Sequence, residues 1–277
     1  MSEFLIREFT SPEDGWLVNS YYFDTPDGVF LIDTQLLSDY AEILLNQIRQ
    51  DFQGREPAAV YITHPHPDHY GGSVLLQKST KAAFHSSEVT AETIVKRADH
   101  ELANLKAEYG TRSPRNFVKP TETFIDESET AWKNLTLRFL DMGIAESPSS
   151  VVCHIPEAQI LIAGDLVFNR VHPRLDDGDI DGWRKALKQL KGLKIKQVFP
   201  GHGPPAGVDL IAHVLRYIDH FQIAVDYLGK GKDFLDRYDK GRIMSVMCDK
   251  YPDYQRPDNL LRGIDLEFAR QHGKKVA

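Results

Sequence analysis

Thr63-His64-Pro65-His66-Pro67-Asp68-His69-Tyr70-Gly71-Gly72 decides how the rest of the chain reads. Residues 64–69 alone carry three imidazoles and a carboxylate. Ala58 to Thr63, just before, is an apolar run of strand length. Val74, Leu75 and Leu76, just after, read as a helix entered through a tight Gly71-Gly72 turn. Pro65 and Pro67 each bias the preceding residue away from helix, so the loop is expected to be extended. Residues two apart in an extended loop face the same way. His64 and His66 can therefore close on one ion, leaving Asp68 and His69 to reach a second. Imidazole and carboxylate are donors that zinc, iron and manganese accept. The bland alternative, a polar loop of surface histidines, sits poorly with this density between a buried strand and a helix.

His-x-His-x-Asp-His after a strand resembles the metal motif of the metallo-β-lactamase-fold hydrolases. That resemblance implies an α/β fold, an αββα sandwich of two mixed sheets flanked by helices, with one or two metals at the edge between the sheets. Ile160 to Phe168 reads as a strand delivering Asp165 at its end, and in the family an aspartate in this Gly-Asp position bridges two metals. Gln197-Val198-Phe199-Pro200-Gly201-His202-Gly203 resembles the family's closing Pro-Gly-His-Gly. The histidine that the family places between these motifs is missing. Counting back from the strand that runs into Pro156, its place falls on Glu146, and the alkylsulfatase-like branch is similar in using glutamate there. Glu146 is then either a ligand or a solvated loop carboxylate beside a degraded site. His154 reads as a structural or exposed strand residue, not a substitute ligand.

The ligand set implied is His64, His66 and Glu146 for one ion, Asp68, His69 and His202 for the other, and Asp165 between them. The ions would be two divalent metals, zinc first and iron or manganese as alternatives. Two such ions about 3.5–4 Å apart can lower the pKa of a shared water to near 7 and make it a nucleophile. The chain is therefore read as a metal-dependent hydrolase of a small-molecule ester or thioester. Alternatives are a sulfate-ester hydrolase, a mono-iron redox enzyme, and a non-catalytic member of the fold. Candidate catalytic residues are Asp68, Tyr70 and His172. Tyr70 would help hold an oxyanion unless it is a packed aromatic. His172 would contact substrate or donate a proton unless it is structural. Three ligand carboxylates make the centre less positive than usual, which should weaken attraction for anionic substrates.

Composition sets the outer bounds. The 277 residues are 42% hydrophobic and 26% charged, as expected of a globular protein with a substantial core. A formal net charge of −7 argues against nucleic acid as a partner, because phosphate binding needs a basic face. Two cysteines cannot build a disulfide framework. No apolar run reaches the about 18 residues of a membrane span, and the start, Met1-Ser2-Glu3-Phe4, lacks a signal segment. A cytoplasmic, single-domain chain over 1–277 is expected, with helices from about 208 covering the sandwich.

The remaining stretches fill in the frame. Residues 4–33 read as opening strands around a Thr25-Pro26-Asp27-Gly28 turn, ending on Asp33, a helix-capping aspartate or a support for a ligand. Tyr40, Leu44, Ile48 and Phe52 recur at four-residue spacing along one helix. Residues 110–121 read as a loop walling the mouth of the site. Asp177 to Asp181 imitates a calcium loop, but Lys188 stands where the closing glutamate is required. It reads instead as an acidic helix start, with Trp183, Leu187 and Leu190 buried. Asn134-Leu135-Thr136 is a glycosylation sequon with no secretory context to give it meaning.

Overall fold

The computed structural model describes residues 5–25, 28–132 and 135–273, so Pro26, Asp27 and the sequon's Asn134 lie outside the described residues. Twelve strands form two sheets among the described residues. The first holds β1 (Arg7–Thr10), β2 (Asn19–Thr25), β3 (Gly28–Ile32), β4 (Pro57–Tyr61), β5 (Ala83–Ser87) and β6 (Glu122–Phe124), neighbours in that order. The second holds β7 (Glu127–Trp132), β8 (Leu135–Asp141), β9 (Val151–Ile155), β10 (Ile160–Phe168), β11 (Gln197–His202) and β12 (Ala206–Gly207), also in order. Both sheets are mixed: β3 to β6 run parallel in the first, and β10 pairs parallel with β11 in the second.

Alternation along the strands sorts the side chains into layers. Tyr21, Phe23, Phe30 and Tyr61 of the first sheet meet Phe139, Cys153, Ile162 and Phe199 of the second. Tyr61 and Phe139 stack with centroids 3.7 Å apart. The opposite face of the first sheet, Tyr22, Leu31 and Val60, packs under α1 (Ser38–Asp51), α2 (Pro67–Tyr70), α3 (Ser73–Ser79) and α4 (Glu88–Tyr109). The outer face of the second, Val152, Leu161 and Ala163, packs under α5 (Ile180–Leu190), α6 (Asp209–Gly229), α7 (Arg237–Lys250) and α8 (Asp258–His272). This is the expected αββα sandwich. No helix among the described residues is long and apolar enough to cross a membrane.

Several local expectations change. Gly71 and Gly72 do form the expected turn into α3, with right-handed helical backbone at φ −58 and −75. Their need for glycine is close approach, since a Cβ would stand 2.0 Å from the Leu36 carbonyl oxygen at Gly71 and 2.1 Å from that of Thr34 at Gly72. Asp165 lies within β10, at a register irregularity where Gly164 takes φ +50, and not at the strand's end. The 110–121 loop turns inward: Phe117 packs edge-on to Tyr70, and the Val118 amide donates to Ser73 Oγ at 3.3 Å. That part is core and not an open rim. Strand β7 and helix α7 had no readable pattern. β7 is a polar edge strand, and α7 buries only Asp239, Ile243 and Met247.

Candidate metal centre

The ligand loop is shaped by its own residues. His66 is extended, at φ −96 and ψ 137, and Pro67 then opens α2 at a position where its missing N–H costs nothing. The loop is stitched to the segment after β3, with Thr34 N donating to His69 O at 2.8 Å and Gly72 N to Gln35 O at 2.8 Å. From the other sheet, β10 supplies Asp165 and β11 supplies His202. A Cβ at Gly201 would lie 1.9 Å from Asp165 Oδ1, so the close approach of these strands needs glycine there. Glu146 sits in the turn between β8 and β9, where Asp179 N donates to Ala145 O at 2.7 Å. Gly178 packs so tightly on that turn that a Cβ would lie 1.9 Å from the Ala145 oxygen.

Seven side chains converge, each 5% exposed or less. They form two groups, His64, His66, Glu146 and Asp165, and Asp68, His69 and His202, with the donor atoms of each group within 4.8 Å of one another. In the first, His64 Nε2 is 3.0 Å from His66 Nδ1 and 3.6 Å from Asp165 Oδ2, and His66 Nδ1 is 3.4 Å from Glu146 Oε2. In the second, Asp68 Oδ2 is 3.2 Å from His202 Nε2 and 3.5 Å from His69 Nε2. Asp165 also faces this second group, at 3.3 Å from His69 and 3.4 Å from His202. Glu146 is therefore no solvated loop carboxylate.

The outer nitrogen of every one of these histidines is tied down. His64 Nδ1 lies 2.9 Å from Thr63 Oγ1, which itself donates to Asp33 Oδ2 at 2.8 Å. His66 Nε2 lies 2.9 Å from Asp177 Oδ2, His69 Nδ1 2.7 Å from Asp33 Oδ2, and His202 Nδ1 3.0 Å from the Trp16 carbonyl. Each partner accepts a hydrogen, so each ring can keep a proton on its outer nitrogen and, once a cation sits in the centre, turn a lone pair inward. Asp33 holds φ 63, a conformation unusual outside glycine, and from there it serves Thr63 and His69 together.

Lone pairs and carboxylates facing one another need a cation between them. His69 Nε2, Asp165 Oδ1 and both Glu146 oxygens are buried with no hydrogen-bond partner among the described residues. Without a cation, protons on two of the rings take its place. Burial opposes charge on His69 and His202, yet Asp165 and Asp68 hold His69 well above its ordinary range and lift His202 to about 9. These rings in turn hold buried Asp68 and Asp165 well below theirs. Burial, with Asp165 alongside, pushes Glu146 up. Four imidazoles and three carboxylates are a donor set for one or two hard-to-borderline divalent ions, and the residues fit a dinuclear site.

Two expected residues stand elsewhere. Tyr70 is fully buried in the cluster behind the loop, edge-on to Phe117 at 4.7 Å. It is placed as a packed aromatic, correcting the expectation that it reaches an oxyanion. His172 is buried under the C-terminal helices, with Nδ1 2.7 Å from the Tyr217 hydroxyl and its carbonyl accepting from Asn259 Nδ2 at 2.8 Å. That makes it a fastener between the β10–α5 loop and those helices. His154 is buried too, its Nε2 3.3 Å from the Lys194 carbonyl oxygen, and is structural. Asp177 was missed as a support for His66. It lies in the acidic run read as a helix start, where Asp179 does cap α5 by accepting from Gly182 N at 2.8 Å. No local spacing ties residue 177 to residue 66.

A sequence model of the metallo-beta-lactamase superfamily matches residues 14–202. Among curated proteins, the linear primary-alkylsulfatase of Pseudomonas sp. (strain ATCC 19151) is 24% identical over 228 residues, 70% of this chain and 43% of that protein. The chain thus spans less than half the length of that relative. The type 2 metallo-beta-lactamase of Bacteroides fragilis is 21% identical over 196 residues, 69% of this chain and 71% of that protein. Among solved structures, a metallo-beta-lactamase from Pontibacter korlensis aligns at TM-score 0.62 with 26% identity, covering 79% of this chain and 96% of that one. A beta-lactamase domain protein from Burkholderia ambifaria aligns at TM-score 0.74 with 18% identity, covering 97% of this chain and 87% of that one, and shares its fold.

Proposed function

The chain belongs to the metallo-beta-lactamase superfamily, and on that premise we propose that it is a hydrolase of small-molecule esters or thioesters that works with two divalent ions, zinc foremost. The observation that supports this most is the set of inward lone pairs around three carboxylates, with every outer nitrogen already engaged. His64, His66, Glu146 and Asp165 would hold one ion, and Asp68, His69 and His202 the other, with Asp165 facing both. Bound there, such ions would activate a water at neutral pH and polarise the bond it attacks.

The chain's own residues orient and enclose. Asp33, Thr63 and Asp177 fix the ring planes of His69, His64 and His66. Asp68 Oδ2, between two histidines, is the carboxylate placed to hold or pass a proton. A cavity that Glu146 lines has an apolar wall of Ala145, Leu175, Ile180, Trp183 and Leu266, suited to the body of the substrate. Two unpaired cysteines, one buried, suit a reducing cytoplasm. A sulfate ester is the second reading. It is favoured by Glu146 standing inside the ligand group and by the likeness to an alkylsulfatase.

Metal analysis after purification without added metal, followed by a panel of esters, thioesters, alkyl sulfates and phosphodiesters on zinc- or manganese-loaded protein, tests the reading. The expected result is close to two ions per chain and ester or thioester turnover that a chelator abolishes. One iron per chain with no hydrolysis would replace it with the redox reading, and substoichiometric metal with a binding role.

A further inference from the structure

Helix α4 belongs to the first half of the sandwich, yet its side chains reach into the second. Thr90, Ile94 and Arg97 stand at i, i+4 and i+7 and so share one face of the helix. Ile94, in the middle, is core at 1% exposed. The polar residues on either side of it both bond across to second-half elements.

At the first end, Ser87 caps the helix by accepting from Thr90 N at 3.1 Å, and Thr90 Oγ1 donates to Ser149 Oγ at 3.3 Å. Ser149 Oγ lies 2.9 Å from Asp141 Oδ2 and 2.6 Å from Ser87 Oγ. A carboxylate only accepts, so the Ser149 proton goes to Asp141 and the Ser87 hydroxyl donates to Ser149. Asp141 and Ser149 stand at the two ends of the turn that carries Glu146, so this knot ties the neck of the turn to α4. Ser87, Thr90 and Ser149 are each 1% exposed or less, and none of them can exchange its partner for bulk water.

At the other end, Arg97 Nη1 donates to Asp177 Oδ2 at 2.6 Å, the same oxygen that lies 2.9 Å from His66 Nε2. One carboxylate oxygen thus joins α4 to a ligand ring. The Arg97 and Asp177 side chains are 32% and 18% exposed, and partly exposed ion pairs add little stability of their own. What this pair supplies is placement: Arg97 fixes where Asp177 sits, and Asp177 fixes the ring plane of His66. The other ligand group is held from elsewhere, by Asp33 behind His69 and the Trp16 carbonyl behind His202.

We propose that α4 positions the ion of the His64–His66–Glu146–Asp165 group and not its neighbour. Arg97 acts through Asp177 on His66, and Ser149 acts through the turn on Glu146. Both are positioning residues that stand behind the ligands. This role depends on the ligand set of the proposed function and not on its reaction.

Chelator competition on the zinc-loaded protein, followed by the imidazole nitrogen resonances, tests it. Two dissociation steps are expected in the wild type, one moving the His64 and His66 signals and the other those of His69 and His202. Arg97→Met should weaken the first step about tenfold, the lower end of the range for outer partners, and leave the second within about twofold. Ser149→Ala should weaken the same step, and Arg97→Lys should fall between wild type and Arg97→Met. Lys96→Met, on the exposed side of the helix, should change neither step. In an Asp177→Asn background, Arg97→Met should add less than about twofold, because its route to His66 is already cut. Should the Ser149 variant not fold, the Arg97 set decides alone. Equal weakening of both steps, no weakening, a single step for both ions, or full additivity with Asp177→Asn would overturn the assignment. Turnover is not needed for this measurement. The expected pattern of zinc loss in a protein that hydrolyses nothing would end the proposed function and leave the role of α4 standing.

Discussion

The two halves of the sandwich contribute to one centre by opposite constructions. The first half delivers His64, His66, Asp68 and His69 from one continuous stretch after β4, a loop running into α2, backed by a single aspartate, Asp33, that serves Thr63 and His69 together. The second half delivers Glu146, Asp165 and His202 from three separate places. They are aligned by strand register and by glycines at 178 and 201 that let backbone and carboxylate come within contact distance. A local loop can be pre-shaped by prolines and its own hydrogen bonds, whereas scattered ligands are correct only when a whole sheet is. Both ligand groups nevertheless mix residues from the two halves, so neither half supplies a complete group.

Removing a ligand from the compact loop should give the largest effect. His66→Ala deletes an inward nitrogen and also leaves the Asp177 carboxylate without its imidazole. Turnover is expected to fall by about a thousandfold or more, the order seen when a reacting centre loses its organising charge, with bound metal reduced. Full metal content and near-normal turnover would show that the loop is not the organising half.

Glu146 comes next, as the scattered ligand that departs from the usual histidine. Glu146→Gln keeps the size and loses the charge, so metal at the His64–His66 group should weaken while the Asp68–His69–His202 group stays largely occupied. Glu146→His should restore binding and move preference toward zinc, because imidazole is the softer donor. Stoichiometry and turnover after identical dialysis against a weak chelator read this out. Identical values for wild type and both variants would remove Glu146 from the ligand set.

The supports should cost less than the ligands and should again differ by half. Asp177→Asn removes one charge from behind His66, and metal affinity should fall about 10- to 100-fold, the usual range for such outer partners. Asp33→Asn should cost more than Asp177→Asn, because Asp33 holds both Thr63, behind His64, and His69, whereas Asp177 holds one ligand ring and its other partner is the Arg97 guanidinium. The reverse order would mean that the loop is self-supporting and the second half carries the orientation.

The same contrast explains what could be read in advance. The compact loop was legible because ligand type, spacing and the flanking strand all lie within a dozen residues, and periodicity exposed the strands of the core. Glu146 was found only by counting along a pattern, since nothing local separates it from a solvated carboxylate. Asp177 owes its place to tertiary contact. The acidic run hid Asp177 behind a true helix cap at Asp179. Gly71 and Gly72 were read as a turn, and the turn is there, but it is not what requires glycine. Their freedom of φ goes unused, and the constraint comes from the carbonyls of Leu36 and Thr34, far enough along the chain that no turn rule reports them.

The smallest expected effect tests how the second half keeps its own register, at His172. This ring is buried under the C-terminal helices, with Nδ1 on the Tyr217 hydroxyl, and burial lowers its pKa to about 4, with Asp258 opposing the shift only in part. A group whose folded pKa lies below its unfolded value of about 6.5 stabilises the fold fully above that unfolded value. The contribution is lost as pH falls through the interval down to about 4, because the unfolded chain takes up a proton that the folded chain refuses. His172→Gln keeps an amide able to reach Tyr217 but cannot titrate. Metal binding also weakens as pH falls, because ligands must be deprotonated, so the absolute melting temperature will drop in both proteins. The informative quantity is the difference between them, measured on metal-loaded samples from pH 7.5 to 4.5. Wild type should lose more stability than His172→Gln as the pH falls, by a few degrees, and parallel curves would show that this ring is protonated at no cost in the folded state.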